Sequence, residues 1–217
     1  MEPYRRTRAR VSTLFLDATP DALKRTVPAC PAWTVHDLAA HLAGVPATLA
    51  AGNFPSGDVN EWLQGIVDER RDTAVDDLVH EWSGLDAIIE PMLQGMGSLM
   101  LTDVAIHEHD LRGALSAPDH AALEVDAVMA CQLPSFAPPL QDAGLGAIVV
   151  EHDGRTWRTH DADAGWTLRV TPWEAMRALG SRRTADELCA LPSDGGGDAY
   201  VEVIAGHLPL PEHSLGE

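Results

Sequence analysis

Positive charge is what this sequence has least of. Lys24 is the only lysine, and Lys and Arg together number 15 against 33 Asp and Glu, a formal net charge of -18. Phosphate backbones are bound by clustered cations, so a nucleic-acid partner is excluded, and an anionic membrane surface repels such a chain for the same reason. Arginine in place of lysine, with many alanines, is the coding pattern of a GC-rich genome. Cysteine is scarce too. Cys30, Cys131 and Cys189 are odd in number and far apart, with no C-x-x-C pair, which points neither to a disulfide framework nor to a thiolate zinc site. No window approaches the ~20 apolar residues that span a bilayer. A secretory leader is not expected either. Arg5, Arg6, Arg8 and Arg10 resemble a basic leader start, but the apolar stretch Val11 to Leu16 is short and Asp17 closes it. These absences together predict a cytoplasmic protein.

What is present suits a globular core: 45% hydrophobic residues in 217, enough for one large domain or a main domain with an appendage. The first two-thirds reads as helices. The pattern predicts a helix from Pro3 to Asp17, a short helical turn at Thr19-Pro20-Asp21, and an extended, packed connection from Val27 to Trp33, where prolines forbid helix. Thr34 with Asp37 has capping-box spacing and starts a second helix running towards Ala51. Further helices are expected at Val59–Arg71, Val75–Leu93, Leu99–Leu115 and Ala121–Leu133. Long helices with short loops suggest an antiparallel bundle.

From Pro134 to Gly146 proline and glycine suggest a linker. Ala147–His152 reads as a strand, Asp153-Gly154 as a two-residue hairpin turn, Arg155–His160 as the return strand and Gly165–Val170 as a third strand. Short helices at Trp173–Leu179, Ala185–Leu191 and Tyr200–Ala205 complete a small α+β unit. The fold class expected is therefore mainly α, with domains at 1–137 and 138–217.

The densest chemistry lies in Thr102 to Arg112. At ~100° per residue, Asp103, His107 and Asp110 share one helix face, whereas Glu108, His109 and Arg112 point elsewhere. Asp103 and His107 thus make a candidate two-ligand clamp, with Asp110 beside it. Zinc sites that do chemistry take three protein ligands and leave a position open. His41, on the apolar face of the second helix with Leu38 and Val45, is the natural third. The same spacing also fits a surface ion pair, and His41 also fits a core histidine. His36 points away; His80, His109, His120, His152 and His160 read as exposed. Cys30, between prolines ahead of a helix start, is a candidate nucleophile or simple packing, and Trp33 and Trp82 read as core.

Three stretches carry a family resemblance. Pro28-Ala29-Cys30-Pro31-Ala32-Trp33-Thr34-Val35-His36-Asp37-Leu38 followed by His41-Leu42-Ala43-Gly44 resembles the signature of the mycothiol-dependent maleylpyruvate isomerase family, within the DinB-like superfamily. Asp103 through His107 to Asp110-Leu111-Arg112 resembles the second signature, and Arg177 to Thr184 the third. The resemblance implies a DinB-like antiparallel four-helix bundle and a small C-terminal α+β domain. It implies a divalent metal, zinc with nickel as the alternative, on His41, Asp103 and His107, and mycothiol as cosubstrate. Asp103 stands where the maleylpyruvate isomerase has Glu, one methylene longer. Arg182 maps onto the family's activity-linked arginine, which could hold a substrate carboxylate, with Arg183 beside it at the cofactor and Asp110 at the reacting groups. The implied chemistry is thiolate addition to a small carboxylate-bearing electrophile, giving an isomerase or a thiol transferase. The partners implied are that small substrate and the thiol, and the bundle is one that often pairs as a homodimer. A divalent-metal-binding protein without catalysis is the alternative.

Overall fold

A computed structural model describes residues 2–121 and 123–217, with the backbone alone for 90–99. Helices dominate it, and among the described residues there are eleven of them beside two small sheets. No described helix is long and apolar enough to cross a membrane. The chain divides into two compact units, Met1–Met100 with His107–Asp119, and Leu101–Ile106 with His120–Glu217.

The first unit opens with α1 (Glu2–Leu16), which buries Tyr4, Thr7, Arg8, Val11 and Phe15 at helical spacing. Helix α2 (Pro20–Leu23) is capped by Thr19. The proline-interrupted connection forms an antiparallel ribbon, β1 (Thr26–Val27) and β2 (Cys30–Thr34), whose Pro31 and Ala32 are exposed. The connection is extended as expected, but its middle faces solvent instead of packing.

Helix α3 (Val35–Ala50) is buried almost all round, from Val35 through Leu38, Ala39, Ala40, Leu42 and Ala43 to Leu49. It packs against α4 (Val59–Glu69) and α5 (Val75–Ser83), and α1 also meets α5. The α3–α4 approach is close because residue 44 is glycine: a Cβ there would lie 2.4 Å from Ile66 Cγ2. In α5, Leu78 and Trp82 are fully buried, and Trp82 Nε1 donates to Tyr4 Oη at 2.8 Å.

The next break differs from expectation. Instead of helices at 75–93 and 99–115, α5 ends at Ser83 and one 29-residue helix, α6 (Asp86–Ala114), follows. Gly84 closes α5, its N–H turned to the carbonyls of His80 and Glu81. The break thus falls at Gly84 and Leu85 instead of between 93 and 99. Helix α6 is continuous, although its residues Leu101–Ile106 group with the second unit.

In the second unit the stretch 134–146 is not an open linker: α7 (Val125–Ser135) runs through Pro134, and α8 (Ala137–Asp142) buries Leu140 completely. The four-stranded sheet has the order β4-β3-β5-β6. Strands β3 (Ala147–His152) and β4 (Arg155–Arg158) form the expected hairpin, with His152 paired to Arg155 across a turn in which Asp153 and Gly154 both have positive φ. Strand β5 (Ala164–Leu168) pairs parallel to β3, and β6 (Ser193–Gly195) antiparallel to β5. Ala147 to Val150 are buried without alternation; β3 has a strand on each edge and packs against α9 (Pro172–Leu179). Helices α10 (Ala185–Cys189) and α11 (Asp198–His207) pack on each other.

Candidate metal centre

The centre begins with a helix cap. Thr34 Oγ1 accepts from Asp37 N at 3.2 Å, while Asp37 Oδ2 accepts from Thr34 N at 2.9 Å. This reciprocal pair fixes where α3 starts. Two turns on, His41 emerges among apolar neighbours and is 4% exposed. The other two candidate ligands stand one turn apart on α6, so the helix itself sets their separation. His107 is 7% exposed and Asp103 is half-buried.

The structure brings the three together. One ligand atom from each of His41, Asp103 and His107 lies within 4.8 Å of the other two. The imidazole centroids of His41 and His107 are 5.0 Å apart in an edge-on arrangement. Burial of both rings sets aside the surface ion pair as an account of these residues.

Asp110, one turn beyond His107, is 1% exposed, and its Oδ2 lies 2.9 Å from His107 Nδ1. An ionised carboxylate only accepts, so with Asp110 ionised the shared proton would sit on Nδ1 and the lone pair of Nε2 would be left for a cation. A carboxylate behind a metal-bound imidazole is the usual way its ring is oriented and its basicity raised. Two imidazoles and one carboxylate are a fitting donor set for zinc or nickel. The residues therefore suit the expected group by chemistry, by proximity and by the orientation of one ring.

Trp33 belongs to this centre instead of the core. It is half-buried, its ring centroid lies 4.8 Å from that of His41 and 6.3 Å from that of His107, and its Nε1 donates to Gln64 Oε1 at 3.1 Å. Its ring is tilted against both imidazoles, by 35° to His41 and 44° to His107. Trp82, by contrast, is a core residue at 1% exposed. Cys30 is half-buried on β2, with Sγ 3.9 Å from Asp110 Oδ2.

Two residues of α6 depart from the sequence reading. His109 is 4% exposed, not at the surface. Glu108, placed off the ligand face by the helical wheel, is buried at 1% exposed and held by two arginines. Arg10 clamps it with Nε and Nη2, both at 2.8 Å, and Arg112 reaches it from the next turn at 2.9 Å. Arg112 at i+4 was a visible signal; Arg10, 98 residues away, was not. His36 is half-buried, with Nε2 2.8 Å from the carbonyl of Thr73. His80 and His120 are exposed, as expected, although His120 stacks on Trp173 at 3.8 Å; His152 and His160 are half-buried.

Arg182 and Arg183 lie in the second unit, at the end of α9. Arg182 is 8% exposed and donates through Nη1 to the carbonyl of Gly180 at 2.8 Å. Arg183 is clamped by Glu174 at 2.7 and 2.8 Å, meets Glu217 at 3.0 Å, and lies 5.4 Å over the ring of Trp173. Compared with known proteins, this chain matches no protein-family model, no curated protein and no solved structure.

Proposed function

We propose that this chain is a divalent-metal enzyme that works with a low-molecular-weight thiol. In this reading it is a mycothiol-dependent isomerase or thiol transferase for a small carboxylate-bearing electrophile, on a DinB-like helical bundle. The observation that carries the reading is the buried cluster of His41, Asp103 and His107, with the Asp110 carboxylate on the rear nitrogen of His107. The sequence signatures supply the thiol and the electrophile; the donor set supplies the reason for a metal.

His41, Asp103 and His107 would hold the ion, zinc by the nature of the donors, with nickel as the alternative. A cation there supplies the charge that lowers a thiol's pKa from ~8.5 so that thiolate predominates at neutral pH. The chain's own residues do the rest. Asp110, when ionised, would keep the proton on His107 Nδ1 and leave Nε2 to the ion. Trp33 excludes water from the two imidazoles. Asp103, one methylene shorter than glutamate, keeps its carboxylate close to the α6 backbone and so stiffens its side of the donor set. In the same reading Arg182 is the carboxylate-binding residue, where a guanidinium offers two parallel donors.

Calorimetric titration of the zinc-loaded chain with mycothiol tests this reading. Saturable binding of one thiol per chain, lost in His107→Ala, is the expected result. A zinc-loaded chain that takes no thiol would be a divalent-metal-binding protein without thiol chemistry.

A further inference from the structure

The proposed function leaves Nε2 of His107 to the cation. The other nitrogen belongs to a different set of donors. Cys30, His107 and Asp110 also bring one ligand atom each within 4.8 Å of one another. Asp110 Oδ2, which lies 2.9 Å from His107 Nδ1, is the same oxygen that faces Cys30 Sγ at 3.9 Å. His107 and Asp110 are buried and Cys30 is half-buried, and all three belong to the first unit. Cys131 and Cys189 lie in the second unit, and neither joins such a group among the described residues. Burial also pushes the Cys131 thiol up, away from the thiolate that binds metals.

We propose that Cys30, His107 and Asp110 form a second metal position, of sulfur, nitrogen and oxygen donors, that takes thiophilic divalent ions such as cadmium and alternates with the His41–Asp103–His107 position. The donor types separate the two. Two imidazoles and a carboxylate suit borderline ions, whereas a thiolate selects soft ones. Donor atoms on one tetrahedral zinc lie about 3.5 Å apart, given bonds of ~2.0–2.3 Å, so the three side chains need to close by only about 1 Å.

As the Sγ–metal bond forms, the Cys30 thiol proton leaves to solvent. The imidazole proton moves from Nδ1 to Nε2, and the Nδ1 lone pair bonds to the ion. Asp110 Oδ2 exchanges its two donors for the cation. One proton is released per ion bound. A neutral imidazole carries its proton on one nitrogen at a time, so His107 serves one position or the other. The inference shares His107 with the proposed function but needs neither His41 nor Asp103.

The test is cadmium titration of the full chain in thiol-free buffer, followed by the ultraviolet sulfur-to-cadmium charge-transfer band. The band is expected to saturate at one ion per chain, to vanish in Cys30→Ser and to persist in His41→Ala. No band in the wild type, or an unchanged band in Cys30→Ser, overturns the proposal without reference to any other site. A band lost in His41→Ala also overturns it, by making Cys30 a fourth ligand of the His41 position. Cobalt uptake by Cys30→Ser reads the His41–Asp103–His107 position separately, so the two readings stand or fall independently.

Discussion

Asp110 illustrates how one buried carboxylate can set the chemistry of a neighbouring ring. Its Oδ2 lies 2.9 Å from Nδ1 of His107, and when ionised it would accept there and leave Nε2 to a cation. Removing that charge while keeping the shape should weaken zinc binding about 10- to 100-fold, the usual cost of losing such a partner. Competition of Asp110→Asn with a chromophoric chelator checks this; affinity equal to wild type would make Asp110 a packing residue. Glu108 sits one residue along from His107 and does a different job. It is buried and neutralises Arg10 and Arg112 at once. Breaking a buried ion pair from one side strands the other charges, so Glu108→Ala should lose about 3 kcal/mol in urea unfolding. The same change at exposed Glu202 should stay within ~0.5 kcal/mol. The face shared by Asp103, His107 and Asp110 was legible from 3.6-residue periodicity. The burial of Glu108 and His109 was not, because it depends on neighbours distant in sequence. Trp33 was misassigned for a related reason: composition shows that a tryptophan is apolar, not what its ring covers.

At the scale of elements, the helix starts were legible and the stops less so. Thr34 with Asp37, and Thr19 ahead of Pro20, mark their helices by local side-chain bonds that a sequence displays. The stop after α5 was missed because Gly84 keeps an ordinary right-handed backbone, and a single glycine inside a helical pattern is no turn signal. Gly84 ends α5, and the backbone of α6 then runs unbroken through residue 91. Strand β6 escaped notice because Ser193-Asp194-Gly195 has no apolar alternation. Its pairing rests on backbone bonds to β5 and on Gly196, where a Cβ would lie 2.4 Å from the Trp166 ring. Parallel pairing of β3 with β5 likewise leaves no local signature. The α3–α4 contact gives the element-scale prediction. A Cβ at residue 44 would meet Ile66 Cγ2 at 2.4 Å. Gly44→Ala should therefore cost about 1–3 kcal/mol, the range for overpacking, despite alanine's better helix propensity. Gly44→Ala combined with Ile66→Ala should recover part of that loss if the clash is the cause. Thermal unfolding of the three variants reads it, and a stabilised Gly44→Ala would refute the close approach.

For the whole molecule, the mainly helical class and three of the strands after residue 146 were legible, since helical and strand periodicities differ plainly. The stretch 134–146 was read as a linker from its proline and glycine content, yet α7 and α8 occupy it and bury Leu140. Proline in a first helical turn is compatible with helix, and Pro138 is so placed in α8. Gathering a histidine from α3 with a histidine and an aspartate from α6 is the one feature of the molecule that sequence spacing could suggest but not establish. We propose that these residues hold a divalent ion. The most direct test is the metal content of the purified chain by elemental mass spectrometry, beside His41→Ala and His107→Ala. Near-stoichiometric zinc or nickel, lost in both variants, is the predicted result. A chain that carries no metal and takes none up on titration would contradict it.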